Sequence, residues 1–144
     1  DLGTRFAAQT YHPIDDADKL SAKPVCAAPI SPVVSMRLPD AHPGSRERLL
    51  GASPTPSVET THSPDRNVPK DAPSFFILHA EDDDVVPVEN SLLLRSALKV
   101  RGIRTEMHLF EHGGHGFGLR KATGKPVEAW PDLWRAWSRS CGLG

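Results

Sequence analysis

Asp83 and His115 are of the residue types that acid–base chemistry uses, and each stands in a loop-like stretch between patterned elements. A carboxylate hydrogen-bonded to a histidine Nδ1 fixes the imidazole tautomer. It also stabilises the imidazolium formed when the ring takes a proton from a nucleophile. Asp83 lies in the acidic run Glu81-Asp82-Asp83-Asp84, followed by Val85-Val86-Pro87. His115 lies in His112-Gly113-Gly114-His115-Gly116-Phe117-Gly118. Glycines there free the backbone to aim an imidazole into a cleft. Each loop alone has a plainer reading, a solvated acidic turn and a flexible turn with an exposed histidine. It is the pair, with room for one helix and one strand between, that points to acyl-transfer chemistry.

The elements that must deliver these loops can be read from periodicity. Ser74-Phe75-Phe76-Ile77-Leu78-His79-Ala80 is a continuous apolar run, as expected of a strand buried on both faces of a parallel sheet. Residues 88–101 suit a helix: Leu94 and Leu98 fall at i, i+4, flanked by Leu93 and Ala97, and Gly102 suits the stop. Residues 105–110 alternate as a strand. A last helix is expected over 130–140, with Pro131 tolerated in its first turn and Trp130, Leu133, Trp134 and Trp137 forming a core-facing stripe.

Upstream, residues 24–36 are expected to form a strand ending in a Pro-broken loop. Residues 37–73 read as loop-rich, with a short helix near Ser45–Leu50 stopped by Gly51. Residues 1–23 suit the tail of an upstream helix and a connection. The order makes this one partial domain over 1–144, with β-α-β-α over 74–144. It predicts an α/β class with parallel strands alternating with helices. In such sheets the working residues sit in loops beyond the carboxyl ends of strands, where Asp83 and His115 both fall.

Residues 73–117 resemble the acid and histidine loops of the α/β-hydrolase superfamily. They are most similar to dienelactone-hydrolase and prolyl-oligopeptidase-like esterases, including acetyl-xylan and feruloyl esterase-like enzymes. Asp83 precedes Pro87 at the family spacing, and Gly114-His115-Gly116-Phe117 matches its histidine turn. Ile30–Met36 is similar to the segment after the family's sixth strand. Ala80 stands where Gly is usual, and Ser31 where an aromatic is common.

The resemblance implies a serine-type carboxylic ester hydrolase, better matched to an acylated carbohydrate than to a peptide, that uses no cofactor. It assigns catalytic roles to Asp83 and His115. The nucleophile does not follow: no Gly-x-Ser-x-Gly elbow occurs, and Gly51-Ala52-Ser53 continues into Pro54-Thr55 rather than a helix. The serine is therefore expected before Asp1, with this chain as the C-terminal part of the fold and the N-terminal half missing. Such a chain is expected to be inert alone. A noncatalytic truncated remnant is the alternative.

Other classes find less support. Lys+Arg 17 against Asp+Glu 18 leaves a net charge of -1, with no electrostatic pull toward nucleic acid or an anionic membrane. No apolar run approaches the ~20 residues that span a bilayer. His108, His112 and His115 with the acidic loop could be read as a metal site, but their spacing matches no short metal motif. Cys26 and Cys141 make no disulfide framework, and Cys26 reads as a buried free thiol. The expected partner is a small ester substrate, with self-association through an exposed sheet edge as a further expectation. The first residue is Asp rather than Met, which leads to the expectation of a fragment and leaves the compartment open.

Overall fold

A computed structural model describes residues 2–9 and 11–143. Its elements in order are α1 (Leu2–Arg5), β1 (Cys26–Ala27), α2 (Pro43–Leu50), α3 (Pro56–Thr61), β2 (Ser74–Ala80), α4 (Glu89–Val100), β3 (Thr105–Phe110) and α5 (Trp130–Ser138). The three strands form one parallel sheet in the order β1-β2-β3. This is the α/β class of architecture, parallel strands alternating with helices, expected from the alternating pattern.

β2 is the centre of the sheet, and its side chains alternate between two cores. Phe76, Leu78 and Ala80 pack with Phe117, Ala122, Val127 and Trp137. Phe75 and Ile77 pack on the opposite face with Val34, Val68, Leu94 and Leu98. One core thus belongs to α5 and the other to α4. A strand covered on both faces has no polar side to show water, which explains its largely apolar sequence. Leu94 and Leu98 are buried, one turn apart on α4. α4 ends where Gly102 adopts φ 71° and Ile103 N–H donates to Leu98 O at 3.0 Å, closing the last turn as a left-handed cap does.

Two expectations need correction. The strand expected over 24–36 is only the two residues of β1, joined by one bridge between Ile30 and Leu78. Pro29 and Pro32 have no N–H to offer a ladder, and Ser31 between them turns to φ 45°. Beyond it, Val34, Ser35 and Met36 are buried without being strand. The second correction concerns α5. Trp137 is buried with its ring tilted 45° to that of Phe76 at 5.5 Å, and Trp130 and Leu133 join the same core. Trp134, however, is 38% exposed. At about 3.6 residues per turn Trp134 falls at the edge of the stripe, about 100° round the helix from Leu133, so it is the member that turns toward water.

The loop-rich stretch 37–73 contains more helix than its composition suggested. α2 ends at Gly51 as expected and begins with His42 Nδ1 accepting from Ser45 N–H. α3 starts at Thr55, whose side chain accepts from Val58 N–H, with Pro56 next. A hydroxyl cap followed by Pro is a helix-start signal. Arg46 of α2 pairs with Glu59 of α3, tying the two short helices together.

Candidate active site

The loops after β2 and β3 meet because the two strands are paired in register from Phe75 with Thr105 to Ala80 with Phe110. Glu81 N–H donates to Phe110 O at 2.7 Å, carrying that register one step past the strand ends. Asp83 and His115 are thereby brought together. His115 Nδ1 lies 2.9 Å from Asp83 Oδ2 and 3.2 Å from Oδ1. The carboxylate is fully buried, whereas the imidazole is 37% exposed. The carboxylate accepts at Nδ1, so Nδ1 carries the proton. That leaves Nε2 as the ring nitrogen free to meet a reacting group.

The Asp83 carboxylate is held on several sides. Its Oδ1 accepts from the backbone N–H groups of Val85 at 3.0 Å and Val86 at 2.9 Å. Burial alone would raise its pKa, but donation from Val86, His115 and Val85 outweighs burial and holds it below the usual carboxylate range. The group is ready to bear negative charge opposite an imidazolium.

Behind Asp83 stands His79, a fully buried side chain of β2. Its Nε2 lies 3.0 Å from Val86 O and 3.3 Å from Asp83 Oδ2, and its Nδ1 lies 2.7 Å from Ser91 Oγ. Val86 O only accepts, so Nε2 carries a proton. His79 therefore braces the acid loop against α4. Asn90 does the same for the segment after β1. Its Oδ1 accepts from Val34 and Ser35 N–H, both at 2.9 Å, and its Nδ2 donates to Asp40 O at 2.7 Å and Pro87 O at 3.1 Å.

Asp82 turns the other way. Its Oδ1 accepts from Gly113 N–H at 2.8 Å and Gly114 N–H at 2.7 Å, just before His115. Gly114 N–H, opposed by burial and joined by Gly113 N–H, lowers the Asp82 pKa. Gly113 is also hemmed in. A Cβ there would sit 2.9 Å from the Cβ of Ala80 and 3.2 Å from Phe117. With Ala at position 80, the facing residue of the histidine loop has room only for hydrogen.

His108 and His112, the other histidines of the metal-site reading, have acidic partners of their own. His108 Nε2 lies 2.8 Å from Glu106 Oε1, and its ring lies 5.2 Å from that of Phe76. His112 lies 3.5 Å from both Asp82 and Glu111. Among the described residues no three His, Cys, Asp or Glu side chains gather as a metal-binding group. Ser31, at the end of the β1 segment, donates its N–H to Leu78 O at 2.9 Å. Its buried hydroxyl has no partner among the described residues.

Sequence reasoning missed His79, Asn90 and the role of Asp82. His79 carried one signal, a lone polar residue inside an otherwise apolar strand. Asn90 had one too, an amide in the first turn of a helix in line with Leu94 and Leu98 at i+4 and i+8.

The model of the prolyl oligopeptidase family matches residues 25–136. An acetyl ester-xyloside bifunctional hydrolase from Caldicellulosiruptor lactoaceticus is 39% identical, with a TM-score of 0.89, over 99% of this chain and 52% of its own. An esterase from Thermogutta terrifontis shares the fold at a TM-score of 0.69 and 24% identity, over 99% of this chain and 51% of its own. Endo-1,4-beta-xylanase B of Butyrivibrio fibrisolvens is 41% identical over 75 residues, 52% of this chain and 12% of that protein. The chain thus spans about half the length of the solved structures it matches and a smaller share of that curated relative.

Proposed function

The chain belongs to the prolyl oligopeptidase family of α/β-hydrolases, and from that premise we propose that it provides the acid and base of a serine-type carboxylesterase acting on acylated carbohydrate. The observation that carries this reading is the hydrogen bond of 2.9 Å between His115 Nδ1 and the buried Asp83 carboxylate. His115 Nε2 takes the proton of a serine as that oxygen attacks the ester carbonyl, then returns it to the leaving alcohol. Asp83 keeps the ring in the productive tautomer and balances its transient positive charge. The preference for acylated sugar is supported by the 39% identity to an acetyl ester-xyloside hydrolase.

The serine and the oxyanion-binding groups lie outside this sequence, which contains no Gly-x-Ser-x-Gly elbow. The chain alone is therefore proposed to be inert toward esters. The test has two parts. The coding sequence before Asp1 is expected to encode the elbow. A protein including it is expected to cleave p-nitrophenyl acetate and acetylated xylan, with loss of turnover on His115→Ala. His115-dependent hydrolysis by the 144-residue chain alone would overturn inertness. Absence of the elbow would leave a noncatalytic remnant with inherited geometry.

A further inference from the structure

We propose that Asp82 is a positioning residue of this site, setting His115 against Asp83 by holding the backbone of the histidine loop. The inference rests on the hydrolase reading for its catalytic consequence, but not for its geometry.

Two consecutive carboxylates on one loop take two different parts of the facing loop. Asp82 Oδ1 accepts the N–H groups of Gly113 and Gly114, at 2.8 and 2.7 Å. Asp83 accepts the ring N–H of the next residue but one after Gly113, His115. The attachment therefore has a backbone point and a side-chain point. The backbone point is needed because the loop is built from a chain that resists definition. Gly114, Gly116 and Gly118 all adopt positive φ, at 69°, 59° and 49°, and glycine loses more conformational freedom on ordering than any other residue.

Few other ties reach this part of the loop. Lys125 Nζ donates to Gly113 O at a longer 3.4 Å, and Trp130 Nε1 donates to Gly118 O, beyond the histidine. Two N–H groups on one carboxylate oxygen are charge-assisted and short. They fix the direction of the chain immediately before His115. The neighbouring acid, Asp84, makes no hydrogen bond to this loop among the described residues, so the three carboxylates are not interchangeable.

The experiment follows the His115 Nδ1–H proton by NMR in the ¹⁵N-labelled chain. A ring N–H bonded to a buried carboxylate gives a far-downfield resonance protected from exchange with water. The resonance is expected in the unsubstituted protein and absent in Asp83→Asn. Asp82→Ala is expected to lose it to exchange while the backbone amides of β2 and β3 keep their positions. Asp82→Asn, which retains the accepting oxygen, is expected to preserve it. Asp82→Glu provides a second test at unchanged charge: its longer stem displaces the oxygen from both N–H groups, and loss of the resonance is expected. Retention of an unchanged resonance in Asp82→Ala or Asp82→Glu would overturn the proposal. Loss in Asp82→Asn as well would overturn the acceptor role. Absence of the resonance from the unsubstituted protein would instead overturn the Asp83–His115 pairing on which the functional reading stands.

Discussion

Nε2 of the buried His79 lies 3.3 Å from Asp83 Oδ2, the same oxygen that accepts from His115 at 2.9 Å. One carboxylate thus faces two imidazoles, one inside the sheet and one at the opening. The inner ring is locked by Ser91 and Val86, so the carboxylate rests on a fixed base. The site is stiff on the acid side and glycine-rich on the histidine side.

Replacing Asp83 with Asn is expected to keep the fold and remove the charge that supports the imidazolium. The Asn side chain can present an N–H to His115 and favour the wrong tautomer. In a form of the protein containing the nucleophile, kcat for p-nitrophenyl acetate is expected to fall by as much as about 10⁴. Undiminished turnover would remove Asp83 from the proposed mechanism.

The pH dependence of stability separates Asp83 from Asp65. The folded pKa of Asp83 is lowered, so its contribution is present above the unfolded carboxylate value of about 4 and is lost as pH falls through the folded value. Asp65 has the opposite sign. Burial raises its pKa despite Arg66, whose Nε lies 3.0 Å away, and its Oδ1 has no partner among the described residues. Its ionisation opposes folding as pH rises. Urea unfolding of Asp65→Asn is expected to show a gain in stability at pH 7 that vanishes near pH 3. A loss at pH 7 would show that the Arg66 pair outweighs burial.

Much of this geometry could be read from the chain. The acid and histidine loops were legible because an acidic run and a glycine-dense run each follow an apolar strand pattern. The division of labour between Asp82 and Asp83 was not, because adjacent carboxylates differ only in where the folded loop points them. β1 was overestimated because its apolar residues are strand-like while its prolines cut the ladder. The exposure of Trp134 follows from its place at the edge of the stripe, and periodicity alone does not say how wide a face the sheet covers. The role of Asn90 was not legible either, because three of its four partners, Val34, Ser35 and Asp40, lie fifty or more positions upstream.

Gly113→Ala is expected to cost about 1–3 kcal/mol, the range for overpacking a filled site. The added methyl would meet Ala80 at 2.9 Å and Phe117 at 3.2 Å. Chemical denaturation measures the cost, and the pair Gly113→Ala with Ala80→Gly is expected to recover most of it. No recovery would place the strain elsewhere in the loop.

Asn90→Ala is expected to destabilise the fold by on the order of 3 kcal/mol, because the N–H groups of Val34 and Ser35 are left without their shared acceptor. Hydrogen exchange checks the mechanism residue by residue. Faster exchange at both amides is expected, and unchanged protection there would assign the loss to another contact.

Cys26 is expected to resist alkylation. Burial, with the neighbouring Cys141 thiol adding to it, pushes its pKa up from 9.0 to about 11. At pH 8 its thiolate fraction is then roughly a hundredfold below that of a thiol at 9.0. Peptide mapping after timed iodoacetamide treatment measures the rate. Cys26 is half-buried rather than fully buried as its sequence suggested, and labelling as fast as a free cysteine would contradict the raised pKa.

The pairing of β2 with β3 has a further consequence for how the molecule assembles. Asp83 and His115 are joined through a single helix and a single strand, a separation of 32 positions. β1 must cross a longer and more irregular stretch to reach β2. Contacts closer along the chain lose less entropy on closure and form sooner. The acid and the base would therefore find each other early, inside one β-α-β unit, before the edge strand docks. On loop-closure entropy their geometry is expected as an early event of folding rather than its last adjustment.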